Sequence, residues 1–154
     1  MTQDWTVTVW GVRGAMPAVS LEYMEFGGNT SCVSVDCGEN LVIFDTGTGL
    51  SALSRNLNLK RPIHIFTGHT HIDHLLGLYI FPAVHDPAAE IHFYGEPRAG
   101  RSFRQQMEEV IAAPYWPVGF QDPYYSPRDR TGSVHLPPRR QDMEFAHEGM
   151  EVIL

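Results

Sequence analysis

The stretch HTHIDH at residues 69–74 constrains this chain more than any other. Three imidazoles and one carboxylate fall within six positions, directly after the apolar run PIHIF. That run reads as a short buried strand, and HLLGLYIF after Asp73 reads as a helix stopped by Pro82. The motif therefore sits on a strand–loop–helix bend. A strand delivers His69 and a short loop carries His71. Asp73 falls at the expected helix start, where a carboxylate can cap free backbone N–H groups. Two imidazoles two positions apart on an extended loop can reach one cation, and the Asp73–His74 pair can reach a second. Imidazole plus carboxylate suits zinc, manganese or iron. With 8 His and 8 Asp in 154 residues, H-x-H-x-D-H arises by chance about once in a thousand such chains. A cluster of solvated histidines is the weaker explanation.

The chain is 43% hydrophobic and 19% charged, which fits a single globular domain over residues 1–154. No run of about 18 apolar residues reads as a transmembrane helix. Cys32 and Cys37 make no disulfide framework, and MTQDWTVTVW lacks a signal-peptide pattern, so a reduced cytoplasmic protein is expected. A net charge of −7 argues against long nucleic acid held through a basic surface. A small phosphate substrate held through bound cations stays open, because such ions reverse the local sign of charge.

Along the chain, WTVTVW alternates as a strand. TSCVSVDC and LVIFD flank the turn GEN as a hairpin. DTGTGL places Gly47 and Gly49 just past a strand, where they let the backbone turn sharply. LSALSRNL has helical spacing at Leu50, Leu53 and Leu57, and EIHFYG is a further strand. RAGRSFRQQMEEVIAA is the best helix, with Phe103, Met107, Val110 and Ile111 on one face, ending before Pro114. The order implies an α/β fold with a mixed β-sheet and flanking helices. Residues 114–142 form an irregular Pro/Tyr/Arg-rich segment, and MEFA and MEVIL read as closing strands. His64, His85 and His92 read as packed or solvated. Tyr115 and Trp116 read as pocket lining or as core.

The motif and its flanks together resemble the metallo-β-lactamase-fold hydrolases. H-x-H-x-D-H after a strand is that family's signature. GVRGAMPA, FGGNTSCVSV, LVIFDTGTGL, HIFTGHTHIDHLLGL, IFPAV and PYWPV are similar to its ribonuclease Z-like and cyclic-nucleotide phosphodiesterase branch. The resemblance implies an αββα sandwich, of which this chain would hold the N-terminal half or a truncated version. It also implies two divalent ions at the sheet edge, zinc or manganese, with iron a third candidate. His69 and His71 would hold the first, and Asp73 and His74 the second. Asp73 would also be the catalytic residue, orienting or deprotonating the nucleophile. Asp45 would steady the metal loop from behind, the alternative being a plain turn residue. The implied activity is phosphodiester hydrolysis by a metal-bound hydroxide, on a small phosphodiester or an RNA end. Arg13 would meet an anionic substrate or stay a solvated loop residue. Thr48, like Thr46, would contact phosphate or cap the next helix. Asn29 and Ser31 are hydrogen-bond candidates at the same edge.

The family's site also takes a third histidine on the first ion, an aspartate bridging both and a last histidine on the second. His147, in FAHEGMEVIL, is the candidate for the third histidine, with His135 behind it. No stretch after His147 offers the other two. The expectation is therefore a piece of a longer hydrolase, a short form completed by another protomer, or a metal-binding or interaction module without turnover. Half a sandwich would leave an apolar sheet face open, and that implies a homo-oligomer.

Overall fold

The computed structural model describes residues 5–55, 57, 61–86 and 88–116. His135, His147, the strands expected at MEFA and MEVIL, and the segment 117–142 lie outside the described residues.

Five strands form one sheet in sequence order. They are β1 (Thr6–Gly11), β2 (Cys32–Asp36), β3 (Leu41–Phe44), β4 (Ile63–Thr67) and β5 (Ile91–Gly95). β1, β2 and β3 pair antiparallel, whereas β3, β4 and β5 pair parallel. The expected β2–β3 hairpin is present, closed at Asp36 opposite Leu41. Register then places side chains in rows. Leu41, Ile63 and Ile91 form one row, and Ile43, Ile65 and Phe93 the next. All six are buried, joined in one core with Leu50 and Leu53 of α1 (Leu50–Ser54) and Phe103 and Met107 of α2 (Phe103–Val110). Each buried side chain of this size contributes about 1.5–3 kcal/mol of burial free energy.

The opposite face carries Val9, Val33, Phe44, Phe66 and Tyr94 in one row and Val7, Val35, Val42, His64 and His92 in the other. Phe66 stacks on Tyr94 at 4.4 Å and His64 on His92 at 4.9 Å between centroids. Among the described residues this face stays partly open, with Val7 63% and Phe44 45% exposed. No helix among the described residues is long and apolar enough to cross a membrane.

Two helix expectations change. HLLGLYIF forms no α-helix: its His74 ends a 3₁₀ turn at 72–74, a second such turn covers 76–80, and a third follows at 82–85. The acceptors an α-helix would use are taken from outside. The Asp73 carbonyl accepts from Thr30 Oγ1 at 2.7 Å, and the His74 carbonyl accepts from both N and Oγ1 of Thr46 at 2.8 Å. Gly77 N in turn donates to Thr46 O at 2.8 Å. The second change is at α2, which starts only at Phe103, because residues 98–101 fold back as a tight turn. Ser102 and Gln105 then form a reciprocal capping box that fixes the helix start.

Arg61 grips Asp36 at the hairpin with two bonds of 2.6 and 2.8 Å. The Arg61 hydrogen bonds, with that from Gly38 N, hold the Asp36 carboxyl below the usual range. A lowered folded-state value contributes stability above the unfolded carboxylate pKa, and that contribution is lost as pH falls through the folded value. Asp36 is 44% exposed, so solvent limits the pair to about 1 kcal/mol or less. Asp36→Asn should lower the melting temperature slightly at pH 7, with the gap to the parent closing as pH falls below about 4. A gap that widens on acidification would contradict this.

Candidate metal centre

Strand direction explains why distant residues meet. β3, β4 and β5 run parallel, and β1 runs the same way across the antiparallel β2. Their carboxyl ends therefore share one edge, the usual ligand side of such sheets. Asp45 leaves β3 there, Gly68 and His69 leave β4, and Arg13 and Ala15 follow β1. Thr30 and Ser31 arrive at the same edge just before β2.

On this edge the three imidazoles of the motif touch. The His69 ring lies 4.0 Å from the His74 ring and 4.3 Å from the His71 ring, centroid to centroid. Nε2 of His74 is 3.4 Å from Oδ2 of Asp73. His71 is exposed, His69 and His74 are half-buried, and Asp73 is 8% exposed. Burial, and then the neighbouring His74 and His71, lower the His69 pKa, with Asp45 opposing. That favours neutral imidazole, the form that ligates cations. Burial works against charge on Asp73. The N–H groups of Ala15 and of Asp73 itself, with His74 and His69, nonetheless bring its pKa below the usual carboxylate value.

Asp45 adopts the left-handed conformation at φ 57°, which aspartate tolerates better than most residues. From there Oδ1 accepts from Gly68 N at 2.8 Å and Oδ2 accepts from Ser31 Oγ at 3.2 Å. Oδ2 also lies 2.8 Å from Nδ1 of His74. That contact has ion-pair distance without hydrogen-bond alignment, so the buried Nδ1 has no hydrogen-bond partner. Asp45 thus touches both ends of the histidine stretch.

Three expectations about the loop are corrected. Asp73 does not cap a helix: it lies inside the 72–74 turn, and its Oδ2 accepts from Ala15 N at 2.8 Å. Gly47 and Gly49, expected to let the backbone turn sharply, have no positive φ. They allow close approach instead. A Cβ on Gly47 would meet the Asp73 carbonyl, Thr30 Oγ1 and the Ser31 carbonyl, and one on Gly49 would lie 2.8 Å from the Trp10 backbone. Nor do Thr46 and Thr48 cap α1, which has no side-chain cap. Thr46 holds the His74 carbonyl. Thr48 Oγ1 accepts from Thr30 N at 2.9 Å and donates to Asn29 Oδ1 at 3.2 Å.

Arg13 donates from Nε to the Gly27 carbonyl at 3.0 Å, with its guanidinium 4.7 Å above the Tyr23 ring. Those contacts order its own loop. Trp116 is core, packed edge-on to Tyr79, while Tyr115 is 87% exposed. Sequence reasoning missed Ala15, Thr30, Gln106 and Arg98. Gln106 is buried in α2, accepts from Thr70 Oγ1 at 2.9 Å and donates to the Glu96 carbonyl at 3.0 Å. Thr70 lies between His69 and His71, so Gln106 steadies that pair. A lone buried glutamine on a helix otherwise packed by Phe103 and Met107 was the available signal.

The donor chemistry suits a divalent transition metal: three imidazoles, of which His74 has a buried ring nitrogen without a hydrogen-bond partner, and the Asp73 carboxylate with its pKa below the usual value. Among the described residues no group of three or more His, Cys, Asp or Glu side chains is placed to hold a metal ion.

Fold and site together define a class: an α/β domain with a mixed sheet and a His–Asp cluster at the carboxyl edge of its strands. The model of the Metallo-beta-lactamase superfamily matches residues 26–151, and the chain belongs to that superfamily. Among solved structures, it is similar to the metallo-beta-lactamase fold protein YhfI from Bacillus subtilis, with 21% identity and a TM-score of 0.51. That match covers 71% of this chain and 42% of YhfI. Human tRNase Z, short form (ELAC1), is 26% identical at a TM-score of 0.48, covering 68% of this chain and 39% of that one. A diphosphatase from the PhnP family is 20% identical at a TM-score of 0.49, covering 70% and 46%. The chain therefore spans less than half the length of these three structures. No curated protein matches it.

Proposed function

We propose that this chain carries the N-terminal part of the active site of a metal-dependent hydrolase, a phosphodiesterase acting on a small phosphodiester or an RNA end. The observation that carries the reading is the cluster itself. His69, His71 and His74 are in ring contact beside the buried Asp73, and Asp45 touches both ends of the stretch. Family membership supports hydrolysis. The flanking stretches, similar to the ribonuclease Z-like branch, support a phosphodiester.

In this reading His69 and His71 hold one divalent ion and Asp73 and His74 hold a second, zinc or manganese, with iron a third candidate. Bound there, such ions supply charge stabilisation for a phosphoryl group and make water more acidic. The remaining work belongs to the chain. Asp73 keeps its charge despite burial and is the group that orients or takes a proton from the attacking water. Asp45 holds Gly68 N, and Thr46 and Thr30 hold the carbonyls of His74 and Asp73, so the backbone of the loop that carries these donors is tied to the sheet edge.

Bis(p-nitrophenyl) phosphate, offered to the protein loaded with manganese or zinc, tests the proposal. Turnover that depends on metal and is lost in His71→Ala is the expected result. No metal-dependent turnover, or equal turnover in His71→Ala, would overturn it. That no three donors among the described residues are placed to hold an ion favours one alternative, a metal-binding or interaction module without turnover. That module would retain metal in the parent and lose it in His71→Ala while both stay inactive.

A further inference from the structure

We infer that Arg98 is a phosphate anchor: the 98–101 turn holds its guanidinium against the Gly68 carbonyl, beside the histidine cluster, where it meets the anionic group of the substrate. The inference rests on the hydrolase reading and deepens it, giving the site a positive group that the chain itself supplies.

The turn is built to present this side chain. Arg98 N donates to the Arg101 carbonyl at 3.0 Å and Arg101 N donates to the Arg98 carbonyl at 2.9 Å. Between them Ala99 and Gly100 have φ of 51° and 74°. Two successive left-handed residues are the mark of a tight primed turn. Glycine adopts that conformation freely, but alanine does not, so the surrounding structure holds Ala99 there. From this turn Arg98 Nη2 donates to the Gly68 carbonyl at 3.2 Å. Gly68 immediately precedes His69, and its N–H is held by Asp45 on the other side. The guanidinium is thus fixed one residue from the first imidazole.

Its charge is also uncommitted. Arg61, Arg101 and Arg104 each face a carboxylate at 2.6–2.8 Å. Arg98 has none within ion-pair distance among the described residues and is exposed. One contact to a carbonyl leaves most of its five donors for a ligand, in a fork that matches a phosphate. Gln106 supports the arrangement by bonding the Glu96 carbonyl and Thr70 together, so the anchor loop and the histidine loop share one buried support. In a chain of net charge −7, a guanidinium held at this edge without a carboxylate partner among the described residues suits an anionic substrate.

The test uses the 154-residue chain, zinc-loaded, with inorganic phosphate as the probe in titration calorimetry. Melting temperature and far-ultraviolet dichroism serve as integrity controls. Arg98→Gln should weaken phosphate binding by about tenfold or more, the scale of lost charge-assisted hydrogen bonds. The KM for bis(p-nitrophenyl) phosphate should rise by a similar factor with kcat little changed. Arg98→Lys keeps the charge but loses the fork and should fall between the two. Phosphate binding unchanged in a folded Arg98→Gln overturns the anchor, even if hydrolysis persists in both. Phosphate binding that depends on Arg98 in a protein without turnover supports the anchor and removes the hydrolase reading. If Arg98→Gln fails the integrity controls, Arg98→Lys decides: weaker binding supports the anchor, and parental affinity overturns it. A parent that binds no phosphate also overturns it.

Discussion

Asp73→Asn is expected to lower metal-dependent phosphodiester hydrolysis by about a thousandfold while leaving the fold intact, the range found when a positioned acid–base group is removed. The amide has nearly the same shape as the carboxylate and still offers an oxygen to Ala15 N, the 2.8 Å bond that Asp73 makes now. Backbone contacts at this residue run through its carbonyl and Thr30 Oγ1, and the substitution leaves them alone. What disappears is the charge, and with it the proton affinity and the strong donor to the second ion. In the parent those properties survive burial because two N–H groups and two imidazoles support the anion. Steady-state kinetics with thermal melting would separate the effects. An Asp73→Asn protein that melts like the parent and still turns over within about tenfold would remove Asp73 from the chemistry.

Gly77→Ala should do the reverse, unsettling the fold and the cluster together. A Cβ at Gly77 would land on the Gly47 carbonyl oxygen, with Thr46 O at 2.7 Å and Leu50 Cβ at 2.8 Å. Two of these three are backbone, so no rotamer change relieves the overlap. The turn at 76–80 must lift away from the Thr46–Gly49 loop, breaking the Gly77 N to Thr46 O bond. Overpacking of this kind costs about 3 kcal/mol, or roughly 10 °C in melting temperature for a chain of this size. Thr46 also holds the His74 carbonyl, so metal affinity should fall in the same variant. Gly14→Ala is the control, because a Cβ there meets nothing within 4 Å. Its melting temperature should stay within about 1 °C of the parent. A Gly77→Ala protein as stable as Gly14→Ala would mean that the close packing at this bend is unimportant.

The parts of this fold legible in the sequence are those set by side-chain faces. Alternation and short apolar runs revealed the strands, and β3, β4 and β5 bury one face in rows such as Ile43, Ile65 and Phe93. Spacing revealed the 69–74 cluster, because its donors are neighbours in the chain. What stayed hidden depends on backbone meeting backbone. HLLGLYIF has helical spacing, yet Thr30 and Thr46 take the carbonyls a helix would need. Gly47 looked like a turn residue, but its requirement is room beside the Asp73 carbonyl. RAGRSF looked like the first turn of α2, but the two left-handed residues at 99 and 100 bend it back. That bend places Arg98 at the cluster, a position no local pattern records. The Asp45 position was legible because the family resemblance carried a long-range contact that periodicity does not.

The account rests on the side chains of His69, His71, Asp73 and His74 acting together on a cation. Metal content of the purified chain after equilibration with zinc and gel filtration, measured by plasma mass spectrometry, tests this most directly. At least one zinc per chain is expected, and the His69→Ala/His71→Ala double variant should retain less than the parent while keeping the parent's dichroism spectrum. Zinc retained equally by parent and double variant, or by neither, would contradict it.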